Sequence, residues 1–261
     1  MLSKEYVSSL EKRLSELPGK VSMFYACPNR KETFSFQSDM CLIAASVIKL
    51  PMMVTLFRLA EEGTIDWNEL FSVTEEVKVP SCGALTYMHN GLQVTLRDLC
   101  TLMIILSDNT ATNMVFDRIG CEEVNKTLRE LHCITTTLRR KMFDAASSRK
   151  GIQNHITAEE IGNLLLAMMD GKCVSPKADQ EMIQILSDQR LNGKIPFFLH
   201  AMDIDVAHKT GEDNGTSHDA AIVMTKDPFV LCFASNDTDV ARFERLMQDI
   251  SLELAIKNNN E

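Results

Sequence analysis

Apolar side chains recur at helical spacing over the first 18 residues of the chain, and Pro18-Gly19 closes that pattern. Two runs rich in β-branched and aromatic residues follow at 21–26 and 33–37. They predict two strands, joined by a turn at 28–31 that begins with proline. The N-terminal part of the chain therefore predicts a helix followed by two neighbouring strands.

The C-terminal part combines strands and a helix in the opposite order. Apolar runs at 206–210, 220–224 and 229–235 predict three strands separated by turn residues. A helical pattern then extends from about residue 240 to residue 256. Strands are thus predicted at both ends of the sequence.

The middle of the chain has mostly helical periodicity. Helices are predicted over 43–62, 92–106, 110–119, 122–131, 158–169 and 179–187. This distribution predicts an α+β fold, in which both termini form one antiparallel sheet with flanking helices and an all-helical lobe is inserted. We expect a sheet lobe from 1–45 and 196–261, a helical lobe from 46–195, and a site in the cleft between them.

Composition narrows the class of protein. The chain has 261 residues, of which 45% are apolar and 24% charged, as in an ordinary globular protein. Its net charge of −9 argues against a nucleic-acid partner, which would require a basic face. No apolar run approaches the ~18 residues of a membrane-spanning helix.

The eight cysteines bear on compartment and cofactors. None forms a Cys-x-x-Cys pair or a cysteine/histidine cluster with zinc spacing, so no metal or organic cofactor is implied. Several lie in apolar stretches and are interpreted as reduced, buried thiols. The first 20 residues are charged and lack the apolar core of a signal peptide. We expect a cytoplasmic protein as the sequence stands, or an exported one if a signal was removed.

Three short strings carry the candidate chemistry: Ser-Val-Ile-Lys at 46–49, Ser-Asp-Asn at 107–109 and Lys-Thr-Gly at 209–211. The Ser-x-x-K pattern alone is weak, because it also occurs at 9–12 and 147–150. Those two matches lie in polar, charged stretches, whereas the match at 46–49 lies in an apolar run that should be buried. A buried lysine is costly unless it has a partner or a function.

Ser46 and Lys49 are three residues apart on a predicted helix, so their side chains point the same way. A serine hydroxyl becomes a good nucleophile when a base removes its proton. Lys49 can be that base if burial and a second cation lower its pKa, and Lys209 is the candidate cation. The residues therefore suggest acyl transfer with lysine as the base.

The ordered set of strings resembles the class A β-lactamase-like branch of the β-lactamase and penicillin-binding protein superfamily. The spacing agrees with that branch, since 61 residues separate Ser46 from Ser107 and 102 separate Ser107 from Lys209. The resemblance extends from about residue 20 to the C-terminal end. It implies a serine acyl hydrolase that forms a covalent acyl-enzyme on Ser46, with β-lactams as the default substrates and antibiotic resistance as the associated role.

The resemblance also implies roles for the other motif residues. Ser107 would relay a proton to the leaving nitrogen, and Asn109 would bind the amide carbonyl of the substrate. Lys209 would share that proton transfer with Ser107 and, together with Thr210, would bind the substrate carboxylate. Gly211 would let the ligand approach the strand closely. The backbone N–H groups of Ser46 and Glu212 would form the oxyanion hole.

Two features depart from the family pattern. Class A enzymes activate the deacylating water with a glutamate in a Glu-x-x-Leu-Asn string, and residues 140–148 contain no glutamate. Asp144 is the nearest carboxylate, one methylene shorter. The arginine that often follows the Lys-Thr-Gly strand is also missing, since 217–221 reads Ser-His-Asp-Ala-Ala. Acylation is therefore better supported than deacylation, and weak carboxylate binding is expected.

These departures keep two alternatives open beside β-lactam hydrolysis. The first is an esterase or D-amino-acid peptidase with weak β-lactam turnover, which the missing glutamate favours. The second is a penicillin-binding or sensor protein that is acylated on Ser46 and stays so. The lifetime of the adduct distinguishes the enzymes from the sensor.

Overall fold

The computed structural model describes residues 2–80 and 82–260. The strands are β1 Lys20–Cys27, β2 Glu32–Phe36, β3 Leu42–Ile43, β4 Leu70–Val73, β5 Leu92–Thr95, β6 His155–Ile156, β7 Val206–Asp213, β8 Thr216–Val223 and β9 Phe229–Asn236. The α-helices are α1 Lys4–Ser15, α2 Lys49–Glu61, α3 Leu96–Ile105, α4 Asn109–Glu130, α5 Ala145–Arg149, α6 Ala158–Met169, α7 Pro176–Ser187 and α8 Val240–Asn260.

The two ends of the chain form one five-stranded sheet in the order β2-β1-β9-β8-β7. All neighbouring strands are antiparallel. The join between the ends is the β1–β9 pair, in which Lys20 faces Asn236 and Ala26 faces Val230. Every residue of β8 and β9 is buried, which explains the apolar runs at 220–223 and 229–234.

Helices cover both faces of the sheet. On one face, α1 and α8 pack on a core that includes Leu10, Phe233 and Phe243. On the other face, α6 contacts β1, β8 and β9. Gly162 makes this close packing possible, because an added Cβ atom would lie 2.2 Å from the Phe24 ring. The α+β fold predicted from the sequence is confirmed.

The middle of the chain is mainly helical and also contains two short antiparallel ladders, β4–β5 and β3–β6. The helix predicted from residue 92 therefore begins later, at Leu96, because the preceding residues pair with β4. Thr95 and Asp98 cap its N-terminus reciprocally. The two helices predicted at 110–119 and 122–131 are joined in α4, with a break at Gly120, whose φ is 72°.

Helix α2 is the buried centre of the helical part, since residues 49–57 and Leu59 are all buried. A short 3₁₀ turn, Ala45–Ile48, precedes it and packs against β7 and β8. This turn carries Ser46, so the nucleophile candidate lies where the helical part meets the sheet. None of the eight cysteines forms a disulfide. Within the described residues, no helix combines the length and apolar character needed to cross a membrane.

Candidate active site

Ser46 and Lys49 begin the buried helical segment at the edge of a cleft. Ser46 is half-buried and lines a cavity of about 530 Å³, whereas Lys49 is fully buried. Ala45, just before the serine, has a φ of 41°, which is uncommon for a residue with a side chain. The 3₁₀ geometry turns Ser46 toward the cavity while the lysine continues into the core.

The ammonium group of Lys49 is satisfied by the Ser-Asp-Asn string. Its Nζ donates to the Ser107 carbonyl oxygen at 2.7 Å, to the Ser107 hydroxyl at 3.0 Å and to Asn109 Oδ1 at 2.8 Å. A buried amine with three acceptors is held in one place. The first two sequence strings therefore meet in one polar cluster.

The turn that presents Ser107 is built by Asp108. Ser107 has a φ of 53°, and Asp108 caps α4 by accepting from the Ala111 N–H at 2.9 Å. The other carboxylate oxygen accepts from the N–H groups of Ala84 and Leu85 at 2.7 and 2.8 Å. Asp108 thus holds the backbone of the turn that presents Ser107.

Lys209 reaches the same hydroxyl from the sheet. Its Nζ donates to Ser107 Oγ at 3.0 Å and to the Thr210 carbonyl oxygen at 2.9 Å. Lys209 is fully buried, on edge strand β7. The structure therefore brings all three strings together, with the Ser107 hydroxyl between the two lysines.

Burial and neighbouring charges change the acidity of both lysines. Burial lowers the pKa of Lys49 well below its ordinary value, and the positive charge of Lys209 lowers it further. Burial also lowers the pKa of Lys209, to about 7, against the opposing effect of the Asp219 carboxylate. An amine with a lowered pKa is available as a base near neutral pH.

Gly211 brings strand β7 against the 3₁₀ turn. A Cβ atom at this position would lie 3.2 Å from Ser46 N and 3.0 Å from the His218 ring. The glycine is required by this close approach, since its φ is not in the left-handed region. Glu212 follows directly and lines the same cavity as Ser46 and Asn109.

Asp144 also lines this cavity, on the loop opposite β7. Its Oδ1 accepts from the Ser147 N–H at 2.9 Å and caps the short helix α5. Hydrogen bonds from Ser147 lower the pKa of Asp144. Asn154 and Asn113 hold the loop by bonding the backbone of Arg140 and Met142. Sequence reasoning missed these two asparagines, because their partners lie 14 and 29 residues away.

The segment 217–221, which has no arginine, contains His218, and both of its ring nitrogens have hydrogen-bond partners. Nε2 lies 2.9 Å from the Ile43 carbonyl oxygen, and Nδ1 accepts from the Ser235 N–H at 3.1 Å. Burial lowers the pKa of His218 to about 4, so the ring is neutral. Sequence reasoning also missed Lys194, whose buried Nζ lies 2.5 Å from Glu212 Oε1.

The cavity has no evident place for a metal ion. Across residues 2–80 and 82–260, no group of three or more histidine, cysteine, aspartate or glutamate side chains has suitable geometry. The polar atoms that converge beneath it are the Ser107 hydroxyl, the amines of two lysines and the amide oxygen of an asparagine. Such a set can activate a hydroxyl and move a proton to a leaving group.

Known proteins with this fold include β-lactamases and a penicillin-binding protein. A β-lactamase structure from Sphaerobacter thermophilus superimposes with a TM-score of 0.90 and 25% identity, covering 98% of each chain. The structure of PBP-A superimposes with a TM-score of 0.86 and 23% identity, covering 97% of this chain and 96% of the other. The β-lactamase AER-1 of Aeromonas hydrophila is 23% identical over 86% of this chain and 76% of its own length.

The sequence profile described as the β-lactamase enzyme family matches residues 5–257. This match includes all three strings and every strand of the main sheet. Together with the arrangement of Ser46, Ser107 and the two buried lysines, it means that the chain is a serine hydrolase and belongs to the β-lactamase enzyme family.

Proposed function

We propose that this protein hydrolyses β-lactams through a covalent acyl-enzyme on Ser46. The observation that carries the proposal is the pair of lysines, both bonded to the Ser107 hydroxyl, beneath a cavity that Ser46 lines. Ser46 Oγ bonds to the lactam carbonyl carbon, and the ring C–N bond breaks. Water then cleaves the resulting ester, which gives a carboxylic acid and restores the serine.

The proton follows the hydrogen bonds of the polar cluster. Lys49 in its neutral form takes the proton from the Ser46 hydroxyl during attack, and burial and the charge of Lys209, which lower the pKa of Lys49, favour that form. The proton passes through Ser107 Oγ, which is 3.0 Å from Lys49 Nζ, to the departing lactam nitrogen. Lys209 holds the same hydroxyl in position from the other side.

Substrate binding is assigned to the cavity wall around β7. The backbone N–H groups of Ser46 and Glu212 stabilise the oxyanion, and Gly211 allows the two segments the necessary approach. The Asn109 side chain binds the amide carbonyl of the acyl substituent. Lys209 and the Thr210 hydroxyl contribute to carboxylate binding.

Asp144 is proposed as the carboxylate that activates the deacylating water. It lines the cavity, and its charged form is favoured by the hydrogen bonds from Ser147. A carboxylate with a lowered pKa is a weaker base, so deacylation is expected to be slower than acylation. The acyl-enzyme should therefore accumulate during turnover.

The test is hydrolysis of a chromogenic cephalosporin, combined with intact-mass measurement of the adduct over time. Ser46→Ala should abolish both turnover and adduct. Ser9→Ala is the matched control, because Ser9 also begins a Ser-x-x-K string but is exposed on α1. Equal turnover by Ser46→Ala and wild type would refute the proposal. An adduct that persists without turnover, or turnover of simple esters alone, would favour the alternatives.

A further inference from the structure

A buried amine and an exposed carboxylate form an ion pair at the end of the Lys-Thr-Gly strand. Lys194 Nζ lies 2.5 Å from Glu212 Oε1. Only 4% of the Lys194 side chain is exposed, against 61% for Glu212. The lysine is therefore fixed in the protein, while the glutamate faces the cavity that it lines.

The other acidic groups near Lys194 have partners of their own. Glu244 Oε1 is 3.8 Å from the ammonium and accepts from the Ser217 hydroxyl at 2.8 Å. Asp219 is fully buried and is bonded to His208 Nδ1 at 2.8 Å and to the Ile195 N–H at 3.1 Å. Glu212 thus provides the closest negative charge to Lys194.

Two other basic groups of this wall already have hydrogen-bond partners. Lys209 directs its hydrogen bonds to Ser107 and to the Thr210 carbonyl oxygen. His218 is neutral and bonded to Ile43 and Ser235. Lys194 therefore adds a further positive charge to this wall beside Lys209, and Glu212 is already in contact with it.

We propose that Glu212 acts as an internal carboxylate that occupies Lys194, and that a substrate carboxylate binds by displacing it. The inference rests on the proposed function of Ser46 and concerns which acyl substrates the same cavity accepts. The exchange leaves the buried ammonium paired throughout, so it avoids the cost of an uncompensated buried charge. The displaced Glu212 carboxylate moves into solvent, to which most of its side chain is already exposed. Glu212 and Lys194 thereby set the selectivity between anionic and neutral substrates.

The experiment compares benzylpenicillin with its methyl ester, which differ only in the carboxylate. The acylation rate constant for Ser46 is measured with each compound by intact-mass spectrometry, and the ratio of the two constants is the readout. This ratio cancels any change that Glu212→Gln causes at the oxyanion hole. Glu212→Gln should raise the ratio about tenfold, because a charge-assisted contact to Lys194 becomes available without competition.

Asp213→Asn is the matched control. Asp213 lines the same cavity on the same strand, and its carboxylate accepts from the Asn214 N–H at 2.8 Å. Asp213→Asn removes one negative charge but leaves the Lys194–Glu212 ion pair intact, so the ratio should rise no more than about twofold. An equal rise in the two variants would mean that the loss of any negative charge from the cavity explains the effect, and this would overturn the proposal.

A double variant tests the lysine directly. Glu212→Gln with Lys194→Met should return the ratio to the wild-type value or below it. A ratio that stays high in this folded double variant would exclude Lys194 as the anion partner. Should the double variant not fold, the single Glu212→Gln comparison still decides, since that side chain is exposed. If neither penicillin acylates Ser46 in the wild type, the proposed function itself is wrong and this inference falls with it.

Discussion

Lys49 and Lys209 direct their ammonium nitrogens to one oxygen, the Ser107 hydroxyl, each at a distance of 3.0 Å. The two amines are fully buried, and each interacts unfavourably with a second positive charge. This arrangement costs stability, and it lowers the pKa of Lys49, the lysine three residues after Ser46. Such a conflict between stability and function is expected at a catalytic site.

The first prediction concerns the pH profile of acylation. Lys209→Met removes a positive charge that lowers the pKa of Lys49, so that pKa rises. Because Lys49 must be neutral to act as a base, the acidic limb of kcat/KM should move to higher pH, by on the order of one unit. The measurement is kcat/KM against pH. Lys226→Met, at an exposed lysine, is the control. An acidic limb that stays in place would contradict Lys49 as the base.

The same variant should change stability in a pH-dependent way. The pKa of Lys209 is about 7 in the folded protein and 10.5 in the reference state. Between these values the unfolded chain binds more protons, so the free energy of unfolding rises with pH. Lys209→Met removes this penalty and should stabilise the protein by about 1–4 kcal/mol at pH 7. Urea unfolding from pH 7 to 10.5 should show a smaller slope in the variant; an unchanged slope would refute the assignment.

Gly211→Ala should damage catalysis much more than folding. The added methyl would lie 3.2 Å from Ser46 N and 3.0 Å from the His218 ring, so β7 must shift away from the 3₁₀ turn. The proposed oxyanion hole would widen, and kcat/KM should fall by about 10²-fold. Gly193→Ala is the control, because an added Cβ there meets no atom within 4 Å. Similar activity in the two variants would argue against an oxyanion hole at this position.

Asp144→Asn tests the proposed deacylation base. Asparagine can also cap a helix, so α5 should persist while the charge is lost. The deacylation rate should fall by about 10²-fold or more, with a longer-lived adduct on Ser46. Asp213→Asn removes another carboxylate from the same cavity and serves as the control. Equal adduct lifetimes in Asp144→Asn and the wild type would exclude Asp144 as the deacylation base. Lys49 would then be the next candidate to activate the water.

The sequence alone was sufficient for the general fold. The apolar runs at 220–224 and 229–235 predicted two strands, which the structure contains as β8 and β9, although β8 begins earlier, at Thr216. The start of α3 was less predictable, because residues 92–95 are apolar enough for a helix and became a strand only through pairing with β4. A short apolar run fits either structure, and the partner strand decides between them.

For the candidate site, the sequence by itself determined which groups are present and which lie within one turn of each other, as for Ser46 and Lys49. Tertiary structure alone decided that Lys209 reaches Ser107 across 102 residues, that Lys194 pairs with Glu212, and that Asp144 caps a helix. The physical reason is that local spacing fixes only neighbours along a helix or strand. Burial, charge pairing and the resulting pKa values depend on segments that are distant in sequence and adjacent only after folding.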